Sequence, residues 1–337
     1  MALAINNQEN FIISALQKEG SVEGDRVEDE QFMKVIKEWQ DSNFKYSEFE
    51  GNYSKEEIEK DKNEVKQMIK KFGQMDGAGR SDETVEAEYL TAEMIYNYFG
   101  FGENNEVYMT TKYDDLKGVD LVVVLESVDG KKRVYLGIDT TIDHNSMEVK
   151  TKKTLSKLDR DELYKVKYFR DEETGEVGVE MPRIVIGIDK DEVVRTKKIL
   201  LSDEKEKLEK DGLNREILQE GIDQLYRTLF YVLKKYQRKF SEFGDFVEFD
   251  QPDEINYEDI EAVLEYLEGK KDEIKNLKRT SPRSMRVLES YRDNLEILTE
   301  VEKGKKGEHV VKNVFGKKIG GRFLEITSSI KTYSEAA

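Results

Sequence analysis

Apolar positions recur at helical spacing towards both ends of the chain and alternate at strand spacing through its middle, which predicts helical flanks around an α/β core. In "EQFMKVIKEW", Phe32, Val35 and Ile36 fall on one helical face. Ser54 and Glu57 form a capping-box pattern ahead of "IEKDKNEVKQMIKKF". The glycine-rich "GQMDGAGRSDE" then reads as a linker or loop. A helix over about Glu83 to Phe99, stopped by Gly100, opens the middle zone. Three strands follow, in "EVYMTTKY", "GVDLVVVLES" and "KRVYLGIDTT", the last two joined by a turn at Asp129-Gly130. A Lys-rich helix over about Met147 to Tyr164 comes next, then a turn at Thr174-Gly175 and a β-branched strand around Ile184 to Ile188. In "REILQEGIDQLYRTLFYVLKKYQRKF", Leu218, Ile222, Leu225, Leu229, Val232 and Tyr236 make a long amphipathic stripe suited to core packing. The segment "VVKNVFGKKIGGRFLEI" fits either a hairpin or a helix end. The expected organisation is a helical region over 1–78, an α/β core over 79–200 and a mainly helical region over 201–337.

Composition narrows the classes. With 37% hydrophobic and 38% charged residues but plentiful Tyr and Phe, the expectation is a folded, highly soluble chain. No apolar run reaches the roughly 20 residues that span a bilayer, and "MALAINNQENFIIS" lacks the parts of a signal peptide. Membrane association is therefore not expected. The absence of cysteine rules out disulfides, thiolate zinc sites and a cysteine nucleophile, and fits the cytoplasm. With only His144 and His309, a multi-histidine zinc site is not expected. The net charge of −17 disfavours nonspecific coating of nucleic acid but permits contact through a local patch. One such stretch is "GKKDEIKNLKRTSPRSMR", with seven basic and two acidic residues, where Lys270, Lys271, Lys278, Arg279 and Arg283 are candidate phosphate contacts. A solvated helix and loop is the plainer reading of it.

Charged residues at apolar positions mark the candidate chemistry. On the helix before the first strand, Glu88 falls inside the face made by Val85, Tyr89, Ala92, Ile95, Tyr96 and Phe99, with Glu86 and Glu93 at its edge. Asp120 shares a strand face with Val122 and Val124, and Asp139 ends the next strand on the side of Gly137 and Thr141. Pairing with Lys or Arg, or exposure at a strand end, accounts for each of these acids separately. Together they would make a hard, oxygen-rich site for Mg²⁺ or Mn²⁺. Asp115 and His144 are second-rank candidates, and Asp114 reads as a solvated turn residue. There is no Gly-x-Ser-x-Gly elbow and no phosphate-binding Gly-Lys-Ser/Thr loop.

The element order, with "DDLKGVDLVVV" and "YLGIDTT", resembles the PD-(D/E)XK, or restriction-endonuclease-like, nuclease superfamily over about residues 80 to 190. The resemblance implies an αβββαβ core and a metal held by Glu88, Asp120, Asp139 and the Thr140 carbonyl. It also implies a nuclease acting on DNA ahead of RNA. It departs at Thr141, which stands where the family has a Lys that assists the attacking water. In some members this Lys moves to the following helix, where Lys150 and Lys157 best flank the buried side given by Met147, Leu155 and Leu158. The alternative is a catalytically inactive fold serving as a binding or scaffold protein, with its helical regions available for a protein partner or a second copy.

Overall fold

The structure, a computed structural model, describes residues 24–41, 44–73, 82–98, 106–127, 129–142, 144–201, 213–239, 257–276 and 281–305. Two helices, α1 (Gly24–Asp41) and α2 (Lys55–Gly73), precede α3 (Asp82–Tyr98). Strand β1 (Glu106–Met109), a one-turn helix α4 (Lys112–Leu116), β2 (Leu121–Glu126) and β3 (Arg133–Thr141) follow. Helix α5 (His144–Asp159) leads to β4 (Tyr164–Arg170), β5 (Val177–Met181) and β6 (Arg183–Gly187). The remaining helices are α6 (Lys190–Leu201), α7 (Leu213–Lys239), α8 (Tyr257–Asn276) and α9 (Pro282–Lys305).

The main sheet has the order β1-β2-β3-β6. Strands β1, β2 and β3 are antiparallel neighbours, whereas β6 runs parallel to β3. A parallel pair needs a crossover, which α5 and the β4–β5 hairpin provide. Strand β2 is buried on both faces, as its unbroken "LVVVL" run requires of an inner strand. Leu121, Val123, Leu125, Leu136, Ile138, Ile184 and Ile186 face a core shared with α1, α3, α7 and α9. On the opposite face, Val122 and Val124 pack with Tyr108, Tyr164, Val166, Tyr168 and Phe169. The protein is thus a mixed α/β fold with helical flanks.

Edge strand β6 is closed by a side chain. Gln224 on α7 accepts from the Val185 N–H at 2.8 Å and donates to the Val185 carbonyl at 2.6 Å, satisfying backbone groups that a bare edge would leave open. The capping box ahead of α2 forms as its sequence implies: Ser54 N–H donates to Glu57 (3.1 Å) and Glu57 N–H donates to Ser54 Oγ (3.2 Å).

Three local expectations are revised. The Lys-rich helix ends at Asp159, and Tyr164 instead opens β4. Tyr164, Val166 and Tyr168 alternate into the core while Lys165 is exposed, a strand period hidden close behind a helix. The helix α4 between β1 and β2 is additional to the three expected strands. Asp114, read as a solvated turn residue, is 1% exposed. It accepts from the backbone N–H groups of Lys167 (2.7 Å) and Tyr168 (3.0 Å) and from the Thr111 hydroxyl (2.9 Å), tying β4 to α4. Burial outweighs these donors and pushes its carboxyl up to about 6. The segment 310–326, His309, Phe99 and Gly100 lie outside the described residues.

Candidate functional site

Asp120 and Asp139 come together where β2 and β3 meet. The register pairs Leu121 with Ile138, and one step further sets Asp120 opposite Asp139. Both side chains are buried, at 6% and 3% exposure. Asp120 N–H donates to the Ile138 carbonyl at 2.8 Å, and its Oδ2 accepts from the Thr140 N–H at 2.7 Å, so this carboxylate anchors the strand backbone beside Asp139.

Asp139 faces two cations. Its Oδ1 pairs with Lys150 and its Oδ2 with Arg183. Lys150 Nζ also donates to the Thr140 carbonyl at 2.8 Å. The helix α5 thus brings Lys150 back over the end of β3. Lys157 takes a different place, 4.9 Å above the ring of Tyr164. Thr141 is buried at the strand end, and its carbonyl accepts from the Ile188 N–H at 2.9 Å.

Arg183 was not among the residues singled out from sequence. Its side chain has no exposure at all. Besides Asp139, it donates to the Gly118 carbonyl (3.0 Å), the Lys150 carbonyl (2.6 Å) and the Thr154 hydroxyl (2.6 Å), and its guanidinium lies 4.2 Å over Tyr164. One planar fork therefore ties β6 to β3, to the loop before β2 and to α5. Gly118 makes room for it: its φ of 94° is costly for other residues, and a Cβ there would stand 2.9 Å from Arg183 Nη1. The available signal was an Arg heading the apolar run "RIVIG", the counterpart of an Asp ending another.

Glu88 is 2% exposed on α3, a helix buried on almost every side from Glu86 to Ile95. That helix packs against β1 and β3 within the core lined by Leu121 and Ile138. Its neighbours Glu86 and Glu93 are engaged locally, Glu86 by Lys197 at 2.7 Å and Glu93 by the Tyr89 hydroxyl at 2.6 Å. Asp115 pairs with Lys112 at 2.7 Å. His144 is the first residue of α5, and its side chain lies outside the described residues. Among the described residues no three His, Cys, Asp or Glu side chains form a group that could hold a metal ion.

The basic stretch is divided between α8 and α9. Lys270 pairs with Glu273 at 2.7 Å and Lys271 with Glu268 at 3.8 Å, while Arg283 is exposed. Lys278 and Arg279 lie outside the described residues. No helix among the described residues is long and apolar enough to cross a membrane.

A buried acid pair with an incoming lysine, at the end of a strand in a mixed sheet, is the class of site this α/β fold presents. Searches of protein-family models, of curated proteins and of solved structures find nothing that matches this chain.

Proposed function

We propose that the chain is a metal-dependent nuclease of the PD-(D/E)XK type, hydrolysing phosphodiester bonds in nucleic acid, with DNA the preferred substrate over RNA. The observation that carries this reading is the meeting of the Asp139 carboxylate, the Thr140 carbonyl and the Lys150 ammonium at one point. The sheet order β1-β2-β3-β6, with a helix before β1 and another between β3 and β6, supports the αβββαβ core that the resemblance implies. The β4–β5 hairpin is then an insertion in that core.

The donors fit a hard cation, because oxygens from Asp139 and Thr140 already converge on a positively charged group. Asp120, Asp139 and the Thr140 carbonyl would hold Mg²⁺ or Mn²⁺; Glu88, which the resemblance also implies as a ligand, sits on the helix that packs against the opposite, Leu121 and Ile138, face of the sheet. A bound divalent ion supplies charge neutralisation and water activation for attack on phosphorus. Lys150 has somewhere to go when its oxygens are claimed, since its side chain is 28% exposed. Turned towards the substrate, its ammonium donates to the phosphoryl oxygens as negative charge grows on them. Arg183 keeps Asp139 in place throughout, because all of its reach is spent inside the protein.

One observation favours a second reading, a non-catalytic binding or scaffold protein on the same fold. The Arg183 guanidinium already neutralises Asp139 from a fully buried position, so the carboxylate is satisfied without a metal. Cleavage assays separate the two readings. Wild type should cut DNA in Mn²⁺ or Mg²⁺ and not in chelator; Asp139→Ala should abolish cutting, and Lys150→Gln should lower kcat by about 10²–10³-fold. No cleavage of DNA or RNA by wild type with either metal removes the nuclease reading.

A further inference from the structure

Helix α5 carries Lys150, Lys153 and Lys157 at spacings of three and four, so they share one face. Lys150 is spent on Asp139 and Thr140. The next two are not: among the described residues neither Lys153 nor Lys157 has a carboxylate within ion-pair distance.

Their placement is specific. Lys153 Nζ lies 3.5 Å from the position of a Cβ on Gly118, and Asp139 Oδ2 and Arg183 Nη1 crowd the same point. Lys153 therefore borders the Asp139 site directly. Lys157 stands one turn further along, over Tyr164, whose ring also receives Arg183. The acids nearest Lys157 are committed elsewhere, Glu162 to Arg160 at 3.2 Å and Glu180 to Arg286 at 2.7 Å. Both ammonium groups are held below the usual lysine range, first by burial. For Lys153 the positive charge of Arg183 comes next, opposed by the nearby Asp139 carboxylate. By contrast, Lys270 and Lys271 on α8 are each matched by a glutamate on their own helix.

We propose that Lys153 and Lys157 form the phosphate-binding track of the protein, contacting successive phosphodiesters of a nucleic-acid strand that passes Asp139, in place of the basic stretch on α8 and α9. The proposal deepens the nuclease reading by assigning its substrate contact, and it would hold equally for a non-cleaving binder. Two exposed or half-exposed lysines one helical turn apart suit a backbone contact, which needs charge rather than a buried pocket.

The test is fluorescence anisotropy of the full chain with a short fluorescein-labelled DNA duplex in chelator, across a salt series, with its single strand run alongside. Wild type should bind with a salt-dependent affinity. Lys153→Gln/Lys157→Gln should lower the slope of log K against log salt by about two, one for each lost phosphate contact. Lys270→Gln/Lys271→Gln should leave the slope as it is. Both changes are on the surface, and circular dichroism of each variant checks that it is folded. A wild type that binds neither DNA overturns the proposal, as does a Lys153→Gln/Lys157→Gln variant whose slope and affinity match wild type. Cleavage is read separately in Mn²⁺. Binding with the expected slope loss but without cleavage supports the track and removes the nuclease reading. Cleavage with an unaltered slope in the variant overturns the track alone.

Discussion

Arg183→Met tests whether the guanidinium organises the site. The substitution keeps an unbranched, mainly apolar side chain of similar length and removes every donor. In the native protein that fork serves Asp139, the Gly118 and Lys150 carbonyls and the Thr154 hydroxyl, with no part of the side chain exposed. Removing one member of a buried ion pair costs about 3–5 kcal/mol, because the other charge stays buried. Lys150 still pairs with the second oxygen of Asp139, so a loss near the lower end, about 3 kcal/mol, is expected from urea unfolding. Asp139→Asn added to Arg183→Met removes the stranded charge and should recover at least about 1 kcal/mol relative to the single variant. Arg183→Lys should rescue little, since a single ammonium cannot span three elements. A single variant within about 1 kcal/mol of wild type, or a double variant no more stable than the single, refutes the argument.

Thr141→Lys places a third cation beside Asp139, where Lys150 already serves. It should not raise cleavage and should lose about 1–3 kcal/mol through overpacking of a buried position, both checked on the purified variant. Glu220 on α7 is 4% exposed, and burial, reinforced by Asp223, pushes its carboxyl up to about 7. A carboxyl raised in the folded state binds its proton more tightly than in the unfolded chain. Its stabilising contribution is therefore present below about pH 4.5 and is lost as pH rises through about 7. Urea melts on the two sides of that window should show wild type losing about 3 kcal/mol from this group, while Glu220→Gln, which mimics the protonated form, flattens the dependence. An identical pH profile for the two proteins contradicts the assignment.

Much of the fold is legible along the chain where the signal is local. The buried run of β2, the turn at Asp129-Gly130 (Gly130 φ 67°), the Ser54–Glu57 capping box and the Leu218–Val232 stripe each follow from neighbours in sequence. Sequence narrows the helix lysine to Lys150 or Lys157, and it is Lys150, in the second turn of α5, that reaches Asp139. What is not legible is long-range. Arg183 meets Asp139 only because β6 joins the sheet parallel to β3 with Arg183 opposite Gly137, a register that no local pattern encodes. The β4–β5 hairpin is masked for a different reason. Lys167 points outward by strand alternation, yet its ammonium is held by Asp61 at 2.6 Å and lies 4.6 Å over Tyr53, partners supplied from more than a hundred residues away. Asp114 is misread in the same way, because its donors come from β4.

The proposed nuclease reading requires Asp120, Asp139 and the Thr140 carbonyl to take a divalent ion in exchange for the Lys150 ammonium that Asp139 and Thr140 now hold. Titration calorimetry with Mn²⁺, on wild type and on Asp139→Ala, tests it most directly. Mn²⁺ should bind wild type at micromolar to millimolar strength and should not bind Asp139→Ala. No heat of binding to wild type, with or without nucleic acid present, contradicts it.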